Sequence, residues 1–234
     1  MARFSEPPVA ENICIQWHNC AAEYFHQVTA KTSYRLQCDP HRMNLPIVKN
    51  LVRMVTLLCI LPIFLVYRAL SMLDKNSAFA ASSQFMSLIP GKLGSYLRNS
   101  FYHLTMTHCD QGVVIGFGTL FSQVDTEIAH GTYIGPQCNV GSCKIGRDCL
   151  FGSGVHILSG KHQHNIDSTD VPIQEQGGVL TKITIGEDTW IGNGAIVMAD
   201  IGKKCVVAAG SVVVHAVGDN QIVAGNPASV VRER

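Results

Sequence analysis

Charge is scarce in this sequence. Asp, Glu, Lys and Arg make up 15% of it and nearly cancel, leaving a formal net charge of +1. Without a strong field to gather a polyanion, nucleic acid is excluded as a partner. Aromatic residues are also few, at 7%, with two tryptophans. None of the nine cysteines stands in a CxxC pair, and their number is odd. A chain of 234 residues is long enough to bury a core without staples. Cys14, Cys20, Cys38, Cys59, Cys109, Cys138, Cys143, Cys149 and Cys205 therefore read as reduced thiols of a cytosolic compartment, several buried as small apolar residues. No signal peptide is visible, because the first long apolar run begins some fifty residues in. What is plentiful is apolar surface: 47% of the residues, with a mean hydropathy of +0.17. That points to a membrane-facing part.

The chain divides into three regions. In residues 1–50, Pro7-Pro8 argues against an early helix. Ile15, Cys20, Tyr24 and Val28 have helical spacing between Glu11 and Val28, and Asp39-Pro40 reads as a turn. No role follows for this region. Residues 51–110 read as a helical, membrane-associating region that opens with LVRMVTLLCILPIFLVYRALSML. Its uncharged core, Met54 to Tyr67, is 14 residues, or about 21 Å of helix against roughly 30 Å of hydrocarbon. Arg53 and Arg68 flank this core and are able to snorkel; counting past them gives about 22 residues, just enough to cross. Pro62, near the centre, favours a kink or a re-entrant hairpin. Lys31, Arg35, Arg42, Lys49 and Arg53 precede the run, and Arg68, Lys75, Lys92 and Arg98 follow it, so neither flank is marked as cytoplasmic. Monotopic insertion from one side is the simplest solution; a single span and an apolar helix docked on the protein are the alternatives. Residues 77–107 read as further amphipathic helix, broken at Pro90-Gly91 and suited to the same interface.

Residues 111–234 change character. An aliphatic or aromatic residue recurs about every six positions, usually followed by a small one: Ile115-Gly116, Phe121-Ser122, Ile128-Ala129, Ile134-Gly135, Val140-Gly141, Ile145-Gly146, Phe151-Gly152 and Ile157. After an interruption come Ile185-Gly186, Ile191-Gly192, Val197, Ile201-Gly202, Val207-Ala208 and Val213. Six residues make one short strand and a turn, and three such units make a triangular coil. The aliphatic residue points inward and stacks on its copies above and below, and the small residue fits the corner. The fold class is therefore mainly β: a parallel β-helix behind an α-helical, partly apolar N-terminal region.

Three segments carry a resemblance. They are IGRDCLFGSGVHILSGKH (Ile145–His162), ITIGEDTWIGNG (Ile183–Gly194) and Val206–Ala228, with its VVAAGSVVVHAV and AGNPA. Over about residues 112–234 the chain resembles the hexapeptide-repeat acyltransferase superfamily, and within it the O-acetyltransferases of sugars and polysaccharides, maltose and galactoside acetyltransferases included. The resemblance implies a left-handed β-helix, a homotrimer, acetyl-CoA or another acyl-CoA as co-substrate, no metal, and a sugar or lipid-linked glycan precursor as acceptor. LIPGKLGSYLRNSFYH (Leu88–His103) is similar to bacterial membrane-associated members that serve polysaccharide biosynthesis. That implies a place at the cytoplasmic face of the inner membrane, with the membrane surface as a partner.

The repeats break at Leu158–Lys182, 25 residues without a hexad. An ordered loop of that length in a solenoid is usually functional. The resemblance places the catalytic histidine at His162. An imidazole, with an ordinary pKa of about 6.5, can take the proton from a sugar hydroxyl as that oxygen attacks a thioester. Backbone N–H groups commonly meet the oxyanion that forms. His164 is the nearest competitor, suited to a supporting or substrate-side role; Asp167 or Asp170 is suited to orient the imidazole, and Glu175 to contact substrate. The resemblance carries coenzyme A onto Asn193, Ala209 and Arg232, the last as a fixed cation for phosphates. Trp190 reads first as a packing or corner residue and second as a stacking surface for the cofactor. The sequence also departs from the sugar acetyltransferases. Gln163 replaces their proline after the catalytic histidine, the coil at Val197–Ile201 is two residues short, and their early asparagine has no clear counterpart.

Rival readings remain. Within the acyltransferases, the acceptor is an amino sugar's nitrogen or a serine hydroxyl. A γ-carbonic-anhydrase-like zinc protein needs three converging histidines. His130 in HGTYIG fits part of that pattern, but Asp125 stands where a second is wanted, and His156 and His162 sit in a coil strand and a loop. A non-catalytic scaffold is the third rival.

Overall fold

The computed structural model describes residues 46–234, with side chains from residue 50 onward. The expected helix between Glu11 and Val28, the Asp39-Pro40 turn, and Cys14, Cys20 and Cys38 lie outside the described residues.

Three helices come first: α1 (Pro46–Leu70), α2 (Lys75–Ser87) and α3 (Gly91–Thr105). α1 runs unbroken through Pro62, so the re-entrant hairpin is not formed. Pro62 is exposed, and it leaves the Leu58 carbonyl without its ladder donor. One face of α1 is docked. Thr56, Ile60 and Tyr67 are buried, spaced as one side of a helix. The Thr56 and Ser100 hydroxyls share a hydrogen bond of 2.9 Å, and the Tyr67 ring lies edge-on to Phe79 and Phe101. Asp74 caps α2 by accepting from the Asn76 and Ser77 amides.

α2 and α3 close the open end of a β-solenoid. The Phe121 amide donates to Ser83 Oγ at 2.8 Å, and the Gly118 amide donates to the Ser87 carbonyl at 3.0 Å. Arg98 is 1% exposed. Its guanidinium donates to the carbonyls of Ile115, Met86 and Ile89. The buried faces of these two helices go to the first coil, while Phe85, Leu88, Leu93 and Tyr96 stay exposed.

The solenoid is a left-handed parallel β-helix with three faces, of four, seven and five strands. Along face 1 the strands are His108–Cys109, Glu127–Ile128, Cys143–Ile145 and Ile183–Ile185, continued by single bridges to Ile201 and Val217. Face 2 runs from Val114–Ile115 to Gln221–Gly225 and ends in an antiparallel strand, Ala228–Glu233. Face 3 runs from Leu120–Phe121 to Val212–Val213. The hexad residues point inward: Ile115, Ile134, Phe151, Ile191 and Val207 are all fully buried on face 2. The slips in hexad spacing fall at corners, and every rung keeps its register with the next.

A second column runs beside the aliphatic one. At the corner between faces 1 and 2, Thr132 Oγ1 donates to Gly146 O, Cys149 Sγ to Gly186 O, Thr189 Oγ1 to Gly202 O and Cys205 Sγ to Gly218 O, at 2.9, 3.1, 3.0 and 2.9 Å. Each side chain satisfies a carbonyl of the next coil. These buried cysteines therefore act as threonine equivalents, which refines their reading as small apolar residues.

Candidate active site

The break in the hexads is an ordered arm. It leaves face 3 after Ile157 and rejoins face 1 at Ile183. Its two limbs run alongside each other. The Thr181 amide donates to Ser159 O, Val179 to His162 O and Asn165 to Gly177 O, at 2.9, 2.8 and 2.9 Å. Gly178 is required where the limbs meet, because a Cβ there would strike the carbonyl of Gln163. The tip carries a 3-10 turn, Ile173–Glu175. Gln176 ties it together: its amide donates to the carbonyls of Ser168 and Val171 and accepts from the Ser168 amide. At the root, Lys182 Nζ bonds Glu127 Oε1 and the Asp125 carbonyl, both at 2.6 Å.

His162 sits on this frame with its backbone held and its side chain exposed. Gln163 Nε2 donates to Gly160 O at 3.1 Å, closing a turn around it. Among the described residues the His162 ring has no hydrogen-bond partner, so neither Asp167 nor Asp170 orients it within the chain. His164, Asp167 and Glu175 are exposed on the same arm.

The residues expected to hold the cofactor lie elsewhere. Asn193 and Ala209 stack on the corner between faces 2 and 3, where the Gly210 amide donates to the Asn193 carbonyl at 2.8 Å. Asn193 Oδ1 already accepts from the Ser153 amide at 3.0 Å, so its amide NH2 is what remains for a ligand. Face 3 separates this corner from the arm, and one chain alone does not bring His162 against Asn193 or Ala209. Trp190 stands outward on face 2, 47% exposed, between Leu150 and Val206. It helps line a depression of about 380 Å³ with Asp148, Asp188, Thr189 and Arg234. The cation beside it is therefore Arg234, which bonds the Asp188 carboxylate at 3.2 Å; Arg232 is exposed and donates to the carbonyl of Glu233. Sequence reasoning missed Arg234 because its place depends on the antiparallel return of the last strand.

Two further features escaped the sequence. Asn139 and His156 pair in register on face 3, both exposed, on the face from which the arm departs. Exposed apolar side chains also recur along the arm, with Ile166 at 72% and Val179 at 62%. Asp125, where a zinc site would want a histidine, accepts from the Ser142 hydroxyl at 2.8 Å.

No family model matches the sequence. Over 93 residues, 39% of this chain and 30% of the other, it is 40% identical to a protein of Mycobacterium tuberculosis named a probable acetyltransferase. Over 125 residues, 50% of this chain and 62% of the other, it is 29% identical to a candidate lipopolysaccharide biosynthesis O-acetyl transferase of Escherichia coli. In both cases the match takes in less than two thirds of the relative's length. Among solved structures, a maltose O-acetyltransferase of Clostridium difficile superposes on 69% of this chain and 88% of its own, with a TM-score of 0.59 at 17% identity. A galactoside acetyltransferase in complex with coenzyme A superposes on 66% and 78%, with a TM-score of 0.50 at 19% identity. At these identities what is shared is the fold.

Proposed function

We propose that this chain, a hexapeptide-repeat β-helix protein related in sequence to acetyltransferases, is an acetyl-CoA-dependent O-acyltransferase acting on a hydroxyl of a sugar or glycan precursor. The observation that carries this reading is the arm: three cross-limb bonds and the Gln163 turn fix the backbone at His162 while its ring takes no partner among the described residues. A base so held is ready for a substrate hydroxyl. The imidazole takes the hydroxyl proton as the oxygen attacks the thioester carbonyl. The tetrahedral intermediate collapses, the C–S bond breaks, and the imidazolium returns the proton to the departing thiolate. The products are an ester and free coenzyme A, with no acyl-enzyme. The names of the relatives support acetyl transfer, and the Escherichia coli relative's name supports glycan assembly as the setting.

The acceptor site is completed, in this reading, between copies. Three chains form a homotrimer in which the apolar side chains of each arm pack on a neighbour and His162 meets coenzyme A held at Asn193, Ala209 and Trp190, with Arg232 or Arg234 toward its phosphates. The separation of the two groups by face 3 supports this arrangement. Because acyl-CoA is a cytosolic metabolite, the enzyme works on the cytoplasmic side of the membrane.

The test is release of free thiol from acetyl-CoA in the presence of mono- and oligosaccharide acceptors. His162→Ala is expected to lower the rate by roughly 10²–10⁴-fold and His164→Ala by far less. Acceptor-dependent thiol release that survives His162→Ala would overturn the assignment. Light scattering tests the assembly, and a solution mass of one chain would refute the shared site.

A further inference from the structure

Among the described residues, one whole side of α1 is uncovered. Its docked side holds Thr56, Ile60 and Tyr67. At 100° per residue the opposite side is Leu51, Met54, Leu58, Leu61 and Leu65, exposed by 53, 55, 64, 46 and 59%. The turn after the helix adds Met72 and Leu73, exposed by 87 and 89%. No acidic residue occurs anywhere in α1. Arg68 projects from the border between the docked and outward sides, and Lys75 follows at the start of α2; Arg53 lies on the docked side, its guanidinium beside Gly112.

From this surface we propose that α1 lies flat in one leaflet of an anionic phospholipid bilayer, its Leu58 face sunk among the acyl chains and Arg68 and Lys75 at the headgroups. The inference stands whether or not the chain transfers an acyl group. Two observations choose this occupant over others. First, α1 cannot stand upright across a bilayer while docked as it is. Thr56 and Tyr67 are both fixed to the helices behind, to Ser100 and to Phe79 and Phe101, and they are eleven residues apart, so about 16 Å of α1 is held along that body. An upright α1 would carry those helices and their charged ends, Lys75 and Lys92, into hydrocarbon. Second, the outward side is aliphatic and offers no hydrogen-bonding side chain along its centre, unlike a protein interface with aromatic and arginine anchors. A basic border beside an apolar face is the pattern of an interfacial helix. The consequence for function is that the first coil sits at the membrane, which brings a lipid-linked acceptor near the chain.

The experiment uses the full chain and vesicles of phosphatidylcholine with phosphatidylglycerol. A fluorophore is placed at L51C, L58C or L65C in a background with Cys14, Cys20, Cys38 and Cys59 replaced by serine, and its depth is read by lipid-borne quenchers. Equal, shallow depth at all three positions is the expected result. A probe deepest at position 58 and shallow at 51 and 65 would mean a crossing helix and overturn the proposal, as would failure of the chain to float with the vesicles. Leu58→Glu is expected to lower vesicle binding by at least about tenfold with the thermal midpoint unchanged, since the side chain touches no core. Undiminished binding would equally overturn it. Thiol release with a soluble acceptor reports separately on the acyl-transfer reading.

Discussion

The side-chain amide of Gln163 reaches back over His162 to the carbonyl of Gly160, at 3.1 Å. Gln163 stands where the family resemblance leads one to expect a proline. Here a side-chain hydrogen bond closes the turn, and under the proposed function Gln163 is a positioning residue. Gln163→Ala is expected to reduce kcat roughly tenfold to a hundredfold, because small displacements of a base are costly. KM for acetyl-CoA and the thermal midpoint should hardly move. A fall in the midpoint with kcat unchanged would show the turn to be structural only.

The cysteines of the solenoid give a second prediction. Cys149 and Cys205 alternate with Thr132 and Thr189 as donors to glycine carbonyls of the next coil. Cys149→Thr should therefore be close to neutral. Cys149→Ala, which leaves the Gly186 carbonyl unmet, should lower stability by about 1–2 kcal/mol in urea titration. Burial also pushes the Cys149 thiol up to about 11 and Cys109 up to about 12, so neither is a thiolate at neutral pH. Of the cysteines among the described residues, maleimide should label only Cys59, which is exposed, until the protein unfolds.

The column was legible because every coil must bury an aliphatic residue at the same place, so Ile134, Ile145 and Ile191 repeat in sequence as they stack in space. The arm was legible as an interruption of that rhythm. Its internal order was not. Gln163 and Gln176 act by side-chain bonds to nearby carbonyls, and such bonds leave no periodic trace. Arg234 meets Asp188 from 46 residues away, through a strand reversal that no hexad announces. The cysteine ladder was written in the sequence, two positions before each inward residue, but a thiol and a hydroxyl do not look alike until both are seen donating to the same kind of carbonyl. Hydropathy marked α1 as apolar but could not separate its docked side from its outward one, because apolar side chains stand on both.

Arg98 links the helical cap to the first coil. It is a buried cation whose partners are carbonyls of Ile115, Met86 and Ile89, with no carboxylate among them. Burial pulls its pKa below the ordinary arginine value. Arg98→Met strands these acceptors and should cost about 3 kcal/mol or more. Arg98→Lys should recover little, since one ammonium cannot reproduce a planar fork. Urea midpoints of the two variants check this; a lysine variant as stable as the parent would show that charge, not geometry, is what the site needs.

The arm is anchored at its root by Glu127 and Lys182, 2.6 Å apart and both partly buried. The hydrogen bond from Lys182 is the chief reason the Glu127 carboxyl is held below its ordinary value of 4.5, with the charges of Lys182 and Lys144 adding to it and burial opposing. A carboxyl whose pKa is lower folded than unfolded stabilises the fold above the unfolded value, and that contribution fades as pH falls through the folded one. The anchor should therefore be constant from neutral pH down to about 5 and weaken only in more acid solution. The reporter is the Thr181 amide, bonded to Ser159 O at the same root. Its hydrogen-exchange protection, corrected for intrinsic rate, should hold at pH 7 and decline below pH 4.5. Glu127→Gln should lower that protection severalfold at pH 7 and flatten its dependence on acid, because the neutral amide keeps a weaker bond and no charge. Equal protection in parent and variant at pH 7 would show that the arm is held by its backbone ladder alone.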